Sequence, residues 1–215
     1  MSIKAVIFDL DGVIVSTDEY HFQAWKKISE VEDIYFDREI NEMLRGVSRM
    51  ESLDIILRNS SKAYGMNEKL ELAKRKNNYY RKLLDSLKSE DILPGVMKVL
   101  EELKERGIKV AIGSSSKNTS FILEKIGLQN YFDAVADGNE IERSKPDPEV
   151  FLLAAKKLGL LPGECLVVED ADAGVEAALA GGMKVVGLGP AANNKRADYK
   201  VRDLSLLDMK SVIKG

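Results

Sequence analysis

The stretch Ala5–Val15, AVIFDLDGVIV, is a run of strand-forming aliphatic residues broken by two carboxylates, Asp9 and Asp11. Burying one ionised carboxylate without a partner is costly, and burying two that face the same way adds mutual repulsion. Alternation along a strand puts i and i+2 on one side, so both acids are expected to face one crevice while Leu10 points into the core. Working outward, the rest of the chain repeats strand and helix. Val96, Val99, Leu100 and Leu103 form an apolar helical stripe, and IKVAIGS (Ile108–Ser114) reads as a strand. A helix over 118–126 and a short strand over 134–136 follow, then a stripe of Val150, Phe151, Ala154, Ala155 and Leu158. CLVVED (Cys165–Asp170) and KVVGLG (Lys184–Gly189) are strands, with helices at 174–180 and 205–214. Strands separated by helices of this length imply right-handed crossovers: an α/β fold with a doubly wound parallel sheet.

Residues 17–88 differ in kind. Rich in Glu, Lys, Leu and Met and without a β-branched run, they read as amphipathic helices, such as one over 68–87. The expected organisation is therefore an α/β core of residues 1–16 and 89–215 interrupted by an all-helical insertion of residues 17–88.

The chain has 215 residues, 45% of them hydrophobic, enough for a substantial core. Charged residues make up 31% with a net charge of −3 and both signs mixed along the length, so no basic stripe argues for nucleic acid. A single cysteine, Cys165, excludes an internal disulfide framework and a cysteine-rich zinc site. Signal-peptide features and apolar runs of roughly 20 residues, the length that spans a bilayer, are absent. These features read as a soluble cytoplasmic protein with no membrane or nucleic-acid partner, and a monomer is the default.

Ligands of parallel sheets bind beyond the carboxyl ends of the strands. Asp9 and Asp11 end the first strand, Ser114, Ser115 and Ser116 the second, and Glu169 and Asp170 a later one. Lys145, in the proline-restricted loop SKPDPE (144–149), is the cation placed to reach them. Four carboxylates at one edge need a cation, and hard oxygen ligands without His or Cys suit Mg²⁺. One acid ionised as a nucleophile and the other able to carry a proton suit phosphoryl transfer, with Mg²⁺, Lys145 and the Ser114 hydroxyl cancelling charge. Taken singly, the same residues read as helix caps, turn formers and surface charges. Their joint placement on successive strand ends favours a site.

FDLDGV (8–13), Ser114, the lysine of SKPDP (144–148) and the Glu169–Asp170 pair resemble the four signature motifs of the haloacid dehalogenase superfamily, and the helical insertion resembles its C1-type cap. TDEYHFQAW (17–25), GVSR (46–49), AKRKN (73–77) and SSSKN (114–118) extend the similarity to the β-phosphoglucomutase family within it. The resemblance implies that Asp9 is a nucleophile forming an aspartyl-phosphate and Asp11 the general acid/base. It implies Mg²⁺ held by Asp9, the Asp11 carbonyl, Glu169 and Asp170, and a transferring phosphoryl group held by Ser114 and Lys145. Arg49, Ser116, Lys117 and Asn118 would hold the other phosphate. His21, Trp25, Ser52 and Lys76, with Gly46, Val47, Ser48 and Ser115, would complete the sugar-phosphate site, and Thr17 a hinge. The implied reaction interconverts β-D-glucose 1-phosphate and glucose 6-phosphate through β-D-glucose 1,6-bisphosphate. A mutase needs a second phosphate site, and the planar guanidinium of Arg49 suits one.

Ser16 stands where the family leads one to expect an acid, and Ser115 adds a hydroxyl to a loop expected to carry fewer. Two other readings stay open: a sugar-phosphate phosphatase using the same two acids, and a non-catalytic phosphosugar-binding regulator.

Overall fold

The computed structural model describes residues 2–45 and 47–214, with the side chain of Lys214 left aside. The chain divides into two compact units, one of residues 1–16 and 88–215 and one of residues 17–87. Lys88, expected in the insertion, falls in the first unit, where its N–H donates to the Asp91 carboxylate at 2.9 Å.

In chain order the first unit begins with β1 (Ala5–Phe8). The second contributes α1 (Asp18–Val31), α2 (Arg38–Glu42), α3 (Arg49–Leu57) and α4 (Met66–Leu84). The first then resumes with α5 (Val96–Glu105), β2 (Lys109–Gly113), α6 (Thr119–Lys125), β3 (Ala134–Ala136), α7 (Glu149–Leu158), β4 (Cys165–Glu169), α8 (Asp172–Ala180), β5 (Lys184–Leu188), β6 (Tyr199–Val201) and α9 (Met209–Lys214).

Among the described residues the six strands are all parallel, in the order β3-β2-β1-β4-β5-β6. This is a doubly wound order, and its direction reverses between β1 and β4. Every residue of β1 and β4 is buried, as expected of strands covered on both faces. Ala5 and Ile7 of β1, Ala111 of β2 and Cys165 and Val167 of β4 share one core with Val150, Phe151 and Ala154 of α7 and Val175 and Ala178 of α8. Gly113 is glycine because a Cβ there would press on the Phe151 ring.

Three sequence expectations change. β1 ends at Phe8, so strand alternation does not set the direction of Asp9 and Asp11; a tight turn does, with Gly12 N–H on the Val15 carbonyl and Ile14 N–H on the Leu10 carbonyl. β6 was not expected, because three residues with a central exposed lysine give no hydrophobic pattern at a sheet edge. The helix expected over 205–214 is a 3-10 turn at Leu204–Leu206, with Asp203 accepting from Ser205 N–H, then extended Leu207 before α9.

The second unit has its own core of Phe22, Trp25, Ile28, Phe36, Leu53, Ile56 and Leu72. Its longest helix, expected over 68–87, runs from Met66 to Leu84, with the Glu68 carboxylate accepting the Gly65 N–H before its start. Among the described residues no helix is long and apolar enough to cross a membrane.

Candidate active site

Asp9 follows β1, its N–H still on the Val168 carbonyl of β4 at 2.9 Å, and Glu169 and Asp170 close β4 beside it. The direction reversal of the sheet thus sets these three acids side by side, with ligand oxygens within 4.8 Å of one another and all three residues buried. Lys145, 3% exposed, reaches between them, donating to Asp9 at 2.6 Å and to Glu169 at 2.8 Å. The other oxygen of Glu169 accepts the N–H groups of Asp170 and Ala171, each at 3.0 Å. Two glycines make room: a Cβ on Gly12, at φ +81°, would run into the Asp170 carboxylate, and one on Gly174 into that of Glu169. Asp11 lies two residues beyond Asp9, half-buried in the turn.

Burial pushes the Asp9 carboxyl up to about 7; Lys145 pulls it down, and Glu169 and Asp11 oppose that pull. Burial also works against the Lys145 ammonium, but the fields of Asp9 and Glu169 and their hydrogen bonds outweigh it and hold Lys145 protonated above its usual range. One ammonium faces three carboxylates. The excess negative charge, the hard oxygen donors and the glycine-cleared room fit a divalent cation.

Beyond β2, Ser114 is buried and Ser115 and Ser116 are half-buried. The Ser114 hydroxyl accepts the Ser116 N–H, and the Ser116 hydroxyl the Asn118 N–H, each at 3.1 Å. Lys117 is exposed and Asn118 buried. The Ser115 hydroxyl oxygen is buried with no hydrogen-bond partner among the described residues.

In the helical unit the structure gathers Thr17, His21, Trp25 and Lys76. Lys76, only 2% exposed, has its ammonium 2.7 Å from His21 Nδ1 and over the rings of Trp25 (4.7 Å) and Tyr80 (4.6 Å). Burial, then the charges of Lys76 and Arg49, hold His21 well below its ordinary pKa. The imidazole is therefore neutral, and its Nδ1 accepts from Lys76. Arg49 is the first residue of α3; Ser48 caps that helix, exchanging hydrogen bonds with Glu51. Burial lowers the Arg49 guanidinium from its usual value, with Tyr80 acting the other way. Val47 is half-buried and Ser52 buried, while Gly46 lies outside the described residues.

Tyr80 was not singled out by sequence. Its hydroxyl donates to Thr17 Oγ1 at 2.8 Å and its ring lies 4.1 Å from that of His21. The signal available was its place four residues after Lys76, on the same face of α4.

The model of haloacid dehalogenase-like hydrolases matches residues 3–182. The chain belongs to this family. As a family member it is 46% identical over 209 residues to the β-phosphoglucomutase of Bacillus subtilis strain 168, covering 96% of this chain and 92% of that protein. It is 29% identical over 215 residues to a phosphorylated carbohydrates phosphatase of Thermotoga maritima, covering 98% and 97%. A crystal structure of β-phosphoglucomutase from Clostridium difficile superposes with a TM-score of 0.93 at 41% identity, covering 99% of this chain and 96% of that one. Family membership and the buried acidic cluster imply a divalent metal, and Asp9, Glu169 and Asp170 are the side chains grouped to hold it.

Proposed function

We propose that this haloacid dehalogenase family member is a β-phosphoglucomutase, interconverting β-D-glucose 1-phosphate and glucose 6-phosphate through β-D-glucose 1,6-bisphosphate. The observation that carries the reading is the match to the Bacillus subtilis enzyme across both units of the chain. Asp9 attacks one phosphoryl group of the bisphosphate: its carboxylate oxygen bonds to phosphorus as the bond to the sugar oxygen breaks, and Asp11 protonates the departing oxygen. When the C1 phosphoryl is the one transferred, glucose 6-phosphate leaves. β-D-glucose 1-phosphate then binds, and Asp11 takes the proton from its C6 hydroxyl, which attacks phosphorus as the bond to the Asp9 oxygen breaks. The bisphosphate so formed is rebound with its ends exchanged for the next attack by Asp9. Lys145 and the Ser114 hydroxyl hold the transferring group, and Arg49, Ser116, Lys117 and Asn118 the other phosphate. Mg²⁺ bound at Asp9, Glu169, Asp170 and the Asp11 carbonyl supplies charge neutralisation on the transferring phosphoryl. His21, Lys76, Trp25 and Ser52, with Thr17 at the junction between the units, serve sugar-phosphate binding. The buried thiol of Cys165, pushed up to about 11 by burial with Glu164 adding to it, takes no part. A cytoplasmic monomer is part of the same proposal.

The likeness to the Thermotoga maritima phosphatase favours one rival, in which water takes the phosphoryl group from Asp9. The two separate in one assay with Mg²⁺, β-D-glucose 1-phosphate and a trace of the bisphosphate. Glucose 6-phosphate far exceeding inorganic phosphate is the mutase outcome; phosphate released in proportion to substrate consumed is the phosphatase outcome.

A further inference from the structure

The serine loop after β2 is gripped from behind by the turn after β3. Gly138 N–H donates to the Ser116 carbonyl at 3.2 Å, and Asn139 Nδ2 to the Lys117 carbonyl at 3.1 Å. The Ser115 carbonyl lies so close to Gly138 that any Cβ there would run into its oxygen. Three successive carbonyls, of Ser115, Ser116 and Lys117, thus face one turn. That turn is itself held. Asp137, 6% exposed, accepts the Asn139 N–H at 2.8 Å and Nδ2 at 3.3 Å, and its own N–H reaches Glu140 at 3.4 Å. Lys157 of α7 then clamps both the Glu140 carboxylate, at 2.7 Å, and the Val135 carbonyl, at 2.6 Å.

A trans peptide is planar, so each carbonyl turned towards the turn sends the N–H of the next residue the opposite way. The N–H groups of Ser116, Lys117 and Asn118 therefore point away from Asp137–Asn139. Two of them are received by the hydroxyls of Ser114 and Ser116. A serine hydroxyl that accepts in this way still has its one proton to donate. The loop is left presenting the Lys117 N–H and two serine O–H groups as donors, an arrangement suited to phosphate oxygens.

We infer that the turn Asp137–Asn139 is a positioning element, with Gly138 and Asn139 fixing the donor directions of the serine loop and thereby the affinity for the non-transferring phosphate. The inference rests on the proposed role of Ser116 and Lys117 in holding that phosphate. Asn139 anchors only the Lys117 carbonyl, at the far end of the loop, whereas Gly138 sits against Ser115, next to Ser114. The two should therefore act differently.

The test compares Asn139→Ala, Gly138→Ala and, as benchmark, Ser116→Ala in the full-length chain. It reads KM for β-D-glucose 1,6-bisphosphate beside the rate of aspartyl-phosphate formation from acetyl phosphate, a donor with no second phosphate. Asn139→Ala, which removes the Nδ2 bonds to the Lys117 carbonyl and to Asp137, should raise the bisphosphate KM about three- to tenfold and leave the acetyl phosphate rate within about twofold. Gly138→Ala, which must displace the Ser115 peptide, should raise the bisphosphate KM and also lower the acetyl phosphate rate. A raised KM in Ser116→Ala with an unchanged KM in Asn139→Ala overturns the positioning role alone. An unchanged KM in both overturns it together with the reading of the loop as a phosphate holder. A lowered melting temperature in Asn139→Ala with no change in KM would make the turn merely structural, and also overturns the inference.

Discussion

Among the described residues two lysines are almost fully buried, and the groups seen against them differ. Lys145, in the α/β unit, lies between the carboxylates of Asp9 and Glu169; Lys76, in the helical unit, lies over the rings of Trp25 and Tyr80 and against a neutral His21. Around Lys145 the local field is negative, three acids to one ammonium, and draws in cations. Beside Lys76, burial first and then the charges of Lys76 and Arg49 keep the proton off His21. Under the proposed function, the acidic cluster would hold the metal and the nucleophile, and the cations of the helical unit would serve the anionic sugar phosphate.

The largest expected effect lies at the proposed nucleophile. Asp9→Asn replaces a carboxylate with a poor nucleophile and a weaker metal ligand, and should lower turnover by about 10³-fold or more. Steady-state kinetics on a preparation free of wild-type enzyme measures this, and substantial residual activity would reassign the nucleophile.

Lys145→Met comes next and tests the comparison itself. It strands two buried carboxylates, and removing one partner of a buried ion pair costs about 3–5 kcal/mol. Urea denaturation should register that loss, and added Mg²⁺ should restore part of it. Lys76→Met removes an ammonium that lies over the rings of Trp25 and Tyr80, contacts worth about 2 kcal/mol or more when desolvated, and its effect is read in the same experiment. An unchanged stability in Lys145→Met, or no recovery on adding Mg²⁺, would contradict the reading of the acidic cluster.

A third effect follows from His21. Its folded pKa lies below the unfolded value near 6.5, so the unfolded chain binds the proton first. His21 therefore contributes stability that is fully present above about pH 6.5 and is lost as pH falls towards the lowered folded value, at up to about 1.4 kcal/mol per pH unit. Denaturation at pH 7.5 and 5.5 should show a smaller acid loss in His21→Gln than in the wild type. Lys76→Met, which removes one of the charges that oppose protonation, should narrow the same gap by a lesser amount.

Much of the α/β unit was legible because its central strands are unbroken aliphatic runs, and strands of that kind end where polar residues can collect. Asp9, Ser114, Glu169 and Asp170 could be read from that rule alone. The direction of Asp11 could not, because strand geometry stops at Phe8 and a turn takes over. β6 was hidden because an edge strand of three residues with a lysine at its centre carries no periodic signal. Tyr80 was hidden for the opposite reason: an aromatic residue on the inner face of an amphipathic helix reads as core, and only its hydroxyl on Thr17 reveals a polar task. The turn Asp137–Asn139 works through the directions of backbone carbonyls, which side-chain patterning does not encode.

In the proposed reaction Asp9 carries the phosphoryl group between the two ends of the sugar. The most direct measurement mixes the protein with Mg²⁺ and β-D-glucose 1,6-bisphosphate, quenches in acid within the first turnover and maps the modified peptide by mass spectrometry. One phosphoryl group should appear on the peptide containing Asp9, formed as glucose monophosphate appears and absent in Asp9→Asn. Turnover with the phosphoryl group on another residue, or with no phosphorylated protein at any time, would contradict it.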